Sequence, residues 1–99
     1  MKNFELENGY IRLAEDDMEE TELVIEMLEV KEKRQGTGRE LVKMAIKYAR
    51  ENGYERITLS AYPQDDSIKY TDLVTFYEML GFEVESDDGA NGALMYYEL

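Results

Sequence analysis

Thr21-Glu22-Leu23-Val24-Ile25-Glu26-Met27-Leu28-Glu29-Val30 runs directly into Lys31-Glu32-Lys33-Arg34-Gln35-Gly36-Thr37-Gly38-Arg39, and this junction decides the fold. The first half is apolar on both alternating faces, which predicts a central strand over 21–30. Strict alternation places Glu22, Val24, Glu26, Leu28 and Val30 on one face and Glu29 on the other. The second half sets two glycines in a basic island formed by Lys31, Lys33, Arg34, Arg39, Lys43 and Lys47. Beyond it Leu41, Met44, Ala45, Tyr48 and Ala49 recur at helical spacing, with Val42 and Ile46 widening the stripe. Asn52-Gly53 supplies the stop. Strand, glycine turn and helix follow one another without a linker.

Toward the N-terminus, Phe4 and Leu6 face Tyr10, Ile11 and Leu13 across Glu7-Asn8-Gly9, a hairpin signal that predicts paired strands at 3–6 and 10–14. Toward the C-terminus, Ile57–Tyr62 reads as a second short buried strand and Pro63–Ser67 as a loop. Leu73, Phe76, Tyr77 and Leu80 mark a second helix, entered near Thr71-Asp72 and closed by Gly81. Phe82–Glu85 and Leu94–Leu99 then read as strands around Asp87-Asp88-Gly89-Ala90-Asn91-Gly92. The order predicts an α/β (α+β) fold, a mixed sheet with helices packed on it. A chain of 99 residues has too little material for two cores, so 1–99 is expected to be one domain.

Composition removes whole classes of chemistry. There is no cysteine, hence no disulfide, thiolate nucleophile or zinc–thiolate site, and no histidine, hence no imidazole base or histidine metal ligand. Catalysis must use Glu, Asp, Tyr, Lys or the backbone, and no metal is expected. The formal charge of −12, from 11 basic and 23 acidic residues, repels nucleic acid and attracts cationic partners. No apolar run approaches the roughly 20 residues of a membrane span, and the start lacks a signal-peptide pattern, so the expected location is cytoplasmic.

A helix start leaves backbone N–H groups unpaired and carries partial positive charge, so an anion placed there satisfies both. Gly36 and Gly38 let the backbone approach a phosphate closely. Taken alone, Gly-x-Gly fits a structural turn as well as a phosphate site. It is not the Walker turn, and Leu41 occupies the third glycine position of the dinucleotide fingerprint.

Phe76-Tyr77-Glu78-Met79-Leu80-Gly81-Phe82 is similar to the helix-end segment of the GNAT-family N-acetyltransferases, which also carry a strand, a basic Gly-x-Gly turn and a helix at about this distance upstream. The chain resembles that family from about Glu20 onward. Val30–Gly38, Ala61–Ile68, Asp72-Leu73, Phe76-Tyr77 and Gly92–Met95 further resemble the very small anti-CRISPR acetyltransferases that modify a lysine of a type V CRISPR effector nuclease. The resemblance implies a compact, mostly antiparallel mixed sheet with two main helices and a reduced N-terminal region. It departs from the family in three ways. Two helices usual between the first strands are missing, Lys33 occupies a position where Arg or Gln is usual, and the strand-to-turn link is about two residues shorter. The missing helices normally line the acceptor pocket.

The resemblance also implies acetyl-CoA as cosubstrate, held by Leu28, Val30, Lys33, Arg34, Gln35, Gly36, Thr37, Gly38 and Arg39, and direct transfer to an amine, a protein lysine above all. Tyr77 is then the donor to the leaving thiolate. A lysine amine, with a reference pKa of about 10.4, must lose a proton before it attacks. Glu26, Glu22 or a carboxylate-oriented water could take it. Two other readings stay open: a small-molecule amine acetyltransferase and a non-catalytic acetyl-CoA-binding module. Asp65, Asp66, Asp87 and Asp88 read as solvated loops outside the site.

Overall fold

The strand Glu22–Val30 lies in the middle of one six-stranded sheet. In the computed structural model, which describes residues 2–15, 21–32, 35–62, 69–87 and 92–99, the elements are β1 (Lys2–Leu6), β2 (Gly9–Glu15), β3 (Glu22–Val30), α1 (Thr37–Glu51), β4 (Arg56–Ala61), α2 (Tyr70–Met79), β5 (Glu83–Asp87) and β6 (Ala93–Glu98). The sheet order is β1-β2-β3-β4-β6-β5. Only β3 and β4 run parallel, joined through α1; every other neighbouring pair is antiparallel. The mixed, mostly antiparallel sheet with two helices is therefore observed, and each element predicted within the described residues is present to within about two residues of its expected ends. The loop at 63–67, the turn residues 88–91, and Lys33 and Arg34 lie outside the described residues.

One expectation for β3 needs correction. β2 and β3 pair Ile11 with Leu28 and Arg12 with Met27, but the next pair is Leu13 with Ile25. Glu26 is the extra residue of a β-bulge, and a bulge resets the alternation of faces. Leu28 and Val30 therefore share a face with Ile25 and Leu23, not with Glu22 and Val24. Val30 confirms this by reaching toward α1, where its Cγ2 lies 3.5 Å from the point a Cβ on Gly38 would occupy. Glu22 faces the other way, in register with Arg56 and, across β4, Glu98. Arg56 forms ion pairs with Glu98 and Glu85 there and lies over the Tyr96 ring at 4.6 Å.

The core lies between the other face and the helices. Ile11, Leu13, Leu23, Ile25, Ile57, Leu59 and Met95 of the sheet are buried against Leu41, Val42, Ala45, Ile46 and Ala49, the predicted stripe of α1. Tyr97 shows that both helices share this face: its hydroxyl accepts from Arg50 of α1, and its ring packs on Phe82 just past α2.

Candidate active site

The ladder between β3 and β4 covers only Glu22–Ile25 against Arg56–Leu59. Beyond it β3 continues to Val30 paired only with β2, while β4 follows β6 to Ala61. The two central strands splay, and the bulge at Glu26 stands where the splay begins. A strand edge beyond the end of its ladder is a template for an extended ligand. Leu28 lies on β3 past that ladder, two residues before the strand ends at Val30.

At the end of β3 the chain turns directly into α1. Gly36 precedes the helix at φ 77°, in the left-handed region, and a Cβ placed on it would meet nothing within 4 Å. Glycine is needed there for conformation, and the space beside it is open. The Gly36 carbonyl accepts from the Glu40 amide at 3.0 Å, so the helix is closed from its first turn. Among the described residues no side chain caps the N-terminus. The early amides of α1, from Thr37 to Arg39, have no intrahelical partner and are the donors that an anion requires. Arg39 and Gln35 are exposed beside them, and the Gln35 amide donates to the Glu32 carboxylate at 2.6 Å. These described residues fit a pyrophosphate: glycine where the backbone must be bare, donors at a helix start, cationic charge at the rim.

Gly38 ties the turn to α2. A Cβ there would lie 3.3 Å from Phe76 Cζ and 3.5 Å from Val30 Cγ2. The end of β3, the start of α1 and one side of α2 therefore converge on a single residue. Next to Phe76 stands Tyr77, its ring 5.0 Å from Phe76 and 5.5 Å from Phe82, both edge-on. Tyr77 is only 5% exposed, and burial pushes its hydroxyl above the usual phenol range because the phenolate would lose its water. Glu26 is exposed.

Of the residues predicted for the site, Val30, Gly36, Thr37 and Gly38 are brought together around the turn, with Gln35 and Arg39 at its rim and Leu28 on the strand leading into it. Glu26 is apart from them at the start of the splay, and Glu22 is on the opposite face of the sheet. The sequence places Phe76 in the apolar stripe of α2 and in the family's helix-end segment, not beside the turn; its approach to Gly38 crosses 38 positions, and no local periodicity carries such a signal. Among the described residues no group of His, Cys, Asp and Glu is arranged to hold a metal.

Residues 8–82 match the Acetyltransferase (GNAT) family. The chain belongs to that family. Its structure resembles the crystal structure of anti-CRISPR protein AcrVA5 with a TM-score of 0.84 and 43% identity, covering 98% of this chain and 97% of that one. It also superposes on a Bacillus subtilis acetyltransferase in complex with CoA (TM-score 0.73, 20% identity, 93% of this chain and 69% of the other). A third similar structure is the PaiA N-acetyltransferase of Thermoplasma acidophilum in complex with coenzyme A (TM-score 0.73, 22% identity, 93% and 54%). These two larger enzymes share the fold, and this chain spans little more than half of the second. No curated protein matches the sequence. As a GNAT acetyltransferase the chain uses acetyl-CoA as cosubstrate.

Proposed function

We propose that this GNAT enzyme transfers acetyl from acetyl-CoA directly to a lysine of a protein, and that the protein is a type V CRISPR effector nuclease. The observation that carries this reading is the 43% identity to anti-CRISPR protein AcrVA5 over almost the full length of both chains. The bareness of the N-terminal hairpin agrees with it. An acceptor site without the two usual helices suits a lysine presented on a protein surface better than a small amine that must be enclosed. Residues 1–99 act in this proposal as one minimal domain.

In the proposed site the pyrophosphate lies on the amides of Thr37, Gly38 and Arg39, with Lys33, Arg34 and Arg39 neutralising it and the Gln35 amide as a further donor, and the pantetheine arm follows β3 beyond its ladder with β4, along Leu28 and Val30. Glu26, at the start of the splay, takes the proton of the attacking amine directly or through water. Tyr77 donates to the departing sulfur. A thiol titrates near ~8.5 whereas a buried phenol holds its proton beyond the usual ~10, so full transfer to the thiolate is uphill. Tyr77 thus stabilises the thiolate by a hydrogen bond while remaining protonated.

The test is incubation of the chain with labelled acetyl-CoA and a panel of purified type V effector nuclease, an unrelated lysine-rich protein and free polyamines. Site-mapped label on one nuclease lysine, with loss of nuclease activity, is expected. Label confined to free amines would move the acceptor to the small-molecule class.

A further inference from the structure

We propose that Asn8, in the turn between β1 and β2, is a positioning residue for the coenzyme site: it latches the β3–α1 turn and aims the Thr37 hydroxyl at the bound pyrophosphate. The proposal rests on reading that turn as the pyrophosphate cradle.

Asn8 reaches the turn across 23 to 29 positions of sequence with its backbone carbonyl and both polar atoms of its side chain. Its backbone carbonyl accepts from the Lys31 amide at 2.7 Å. Its side-chain Oδ1 accepts from the Glu32 amide at 2.8 Å, and its Nδ2 donates to the Glu32 carbonyl at 2.8 Å and to Thr37 Oγ1 at 3.0 Å. The amide orientation follows from the network, because the Glu32 N–H can be met only by an oxygen. Both hydrogens of Nδ2 are then used. A β1–β2 hairpin turn thus grips both ends of the link between β3 and α1.

Thr37 is the consequence. It is the first residue of α1 and only 8% exposed. Its oxygen accepts from Asn8, so its own hydrogen is directed elsewhere, and among the described residues it finds no acceptor. A hydroxyl at the start of a helix, beside amides with no intrahelical partner and itself left to act as a donor, suits a phosphate oxygen. Were Asn8 absent, the Thr37 hydroxyl would lose the donor that fixes its orientation, and the Glu32 main chain would lose two partners.

Coenzyme A and pantetheine separate the effects, because pantetheine has no pyrophosphate. Titration calorimetry on the wild-type chain, Asn8→Ala and the turn-compatible Asn8→Ser is read with each ligand, beside thermal melts. The expected result is that wild type binds coenzyme A far more tightly than pantetheine, and that both variants weaken coenzyme A by about tenfold. Pantetheine affinity should stay within about twofold, and KM for acetyl-CoA should rise with kcat held. Asn8→Ala added to Thr37→Val should cost less than Asn8→Ala alone, because the latch then has no hydroxyl to aim. Folded variants with unchanged coenzyme A affinity would overturn the proposal, as would equal loss for both ligands. Wild type binding coenzyme A no better than pantetheine would overturn the cradle reading and, with it, the proposal.

Discussion

Single residues in this chain divide by whether space or conformation demands them. Gly9 is spatial: a Cβ there would stand 2.4 Å from the Glu29 carbonyl oxygen, a backbone atom held in the β2–β3 ladder. Gly36 is conformational, with φ 77° and open space around it. Gly9→Ala is therefore expected to lower stability by about 1–3 kcal/mol through strand separation, and Gly36→Ala by about 1–2 kcal/mol through left-handed strain. Denaturant melts check both, and crystal structures of the variants should show a displaced β2 only in the first. Tyr77 poses a different question, since its ring is core and its hydroxyl is assigned to chemistry. Tyr77→Phe keeps the ring and should reduce turnover by about 10²-fold; a loss of threefold or less would leave Tyr77 a packing residue. The raised phenol also has a thermodynamic consequence. Its folded pKa lies above the unfolded value, so its contribution to stability is intact below pH ~10 and is lost as pH climbs toward the folded pKa. Tyr77→Phe should flatten that alkaline loss in a melt series while leaving the melts near neutrality less changed.

At the scale of elements, α1 carries the burden of holding the turn in place, because its N-terminus is the proposed cradle and its stripe is the core. Leu41 is fully buried one turn beyond Thr37. Leu41→Ala should cost about 2–5 kcal/mol, read by chemical denaturation, with coenzyme A raising the midpoint of the variant that remains folded. The elements themselves were legible because their signals are local. The stripe from Leu41 to Ala49 has one period and the Asn52-Gly53 stop follows at once, while β3 and β4 are short apolar runs between turns. What was not legible was non-local. The bulge at Glu26 belongs to the register of β3 against β2, and no periodicity within β3 reports that pairing. It reversed the face assigned to Glu22 and left Glu26 alone at the splay. Asn8 was legible as a turn residue, and Gly9 as its companion, yet both are also there for what lies 20 or more positions away: the Glu29 carbonyl for one, the β3–α1 turn for the other.

Across the whole molecule, charge is segregated. Seven of the 11 basic residues fall between Lys31 and Arg50, on the turn and α1, while the chain as a whole carries −12. Self-repulsion of the acidic majority opposes the compact state, whereas the basic island attracts a polyanionic ligand. Salt screens both over a Debye length of about 10 Å at 0.1 M, so the two effects must respond to it with opposite consequences. Raising ionic strength from about 0.02 to 0.5 M is expected to raise the melting temperature of the free chain by a few degrees, as repulsion is relieved. The same change should weaken coenzyme A several-fold while leaving pantetheine nearly unaffected, because only the former places phosphates on the island. Calorimetric melts and titrations across one salt series test both. A melting temperature that falls with salt would mean that attractive pairs such as Arg56 with Glu98 dominate the balance. Coenzyme A binding indifferent to salt would mean that the amides of α1, rather than the cationic rim, hold the anion.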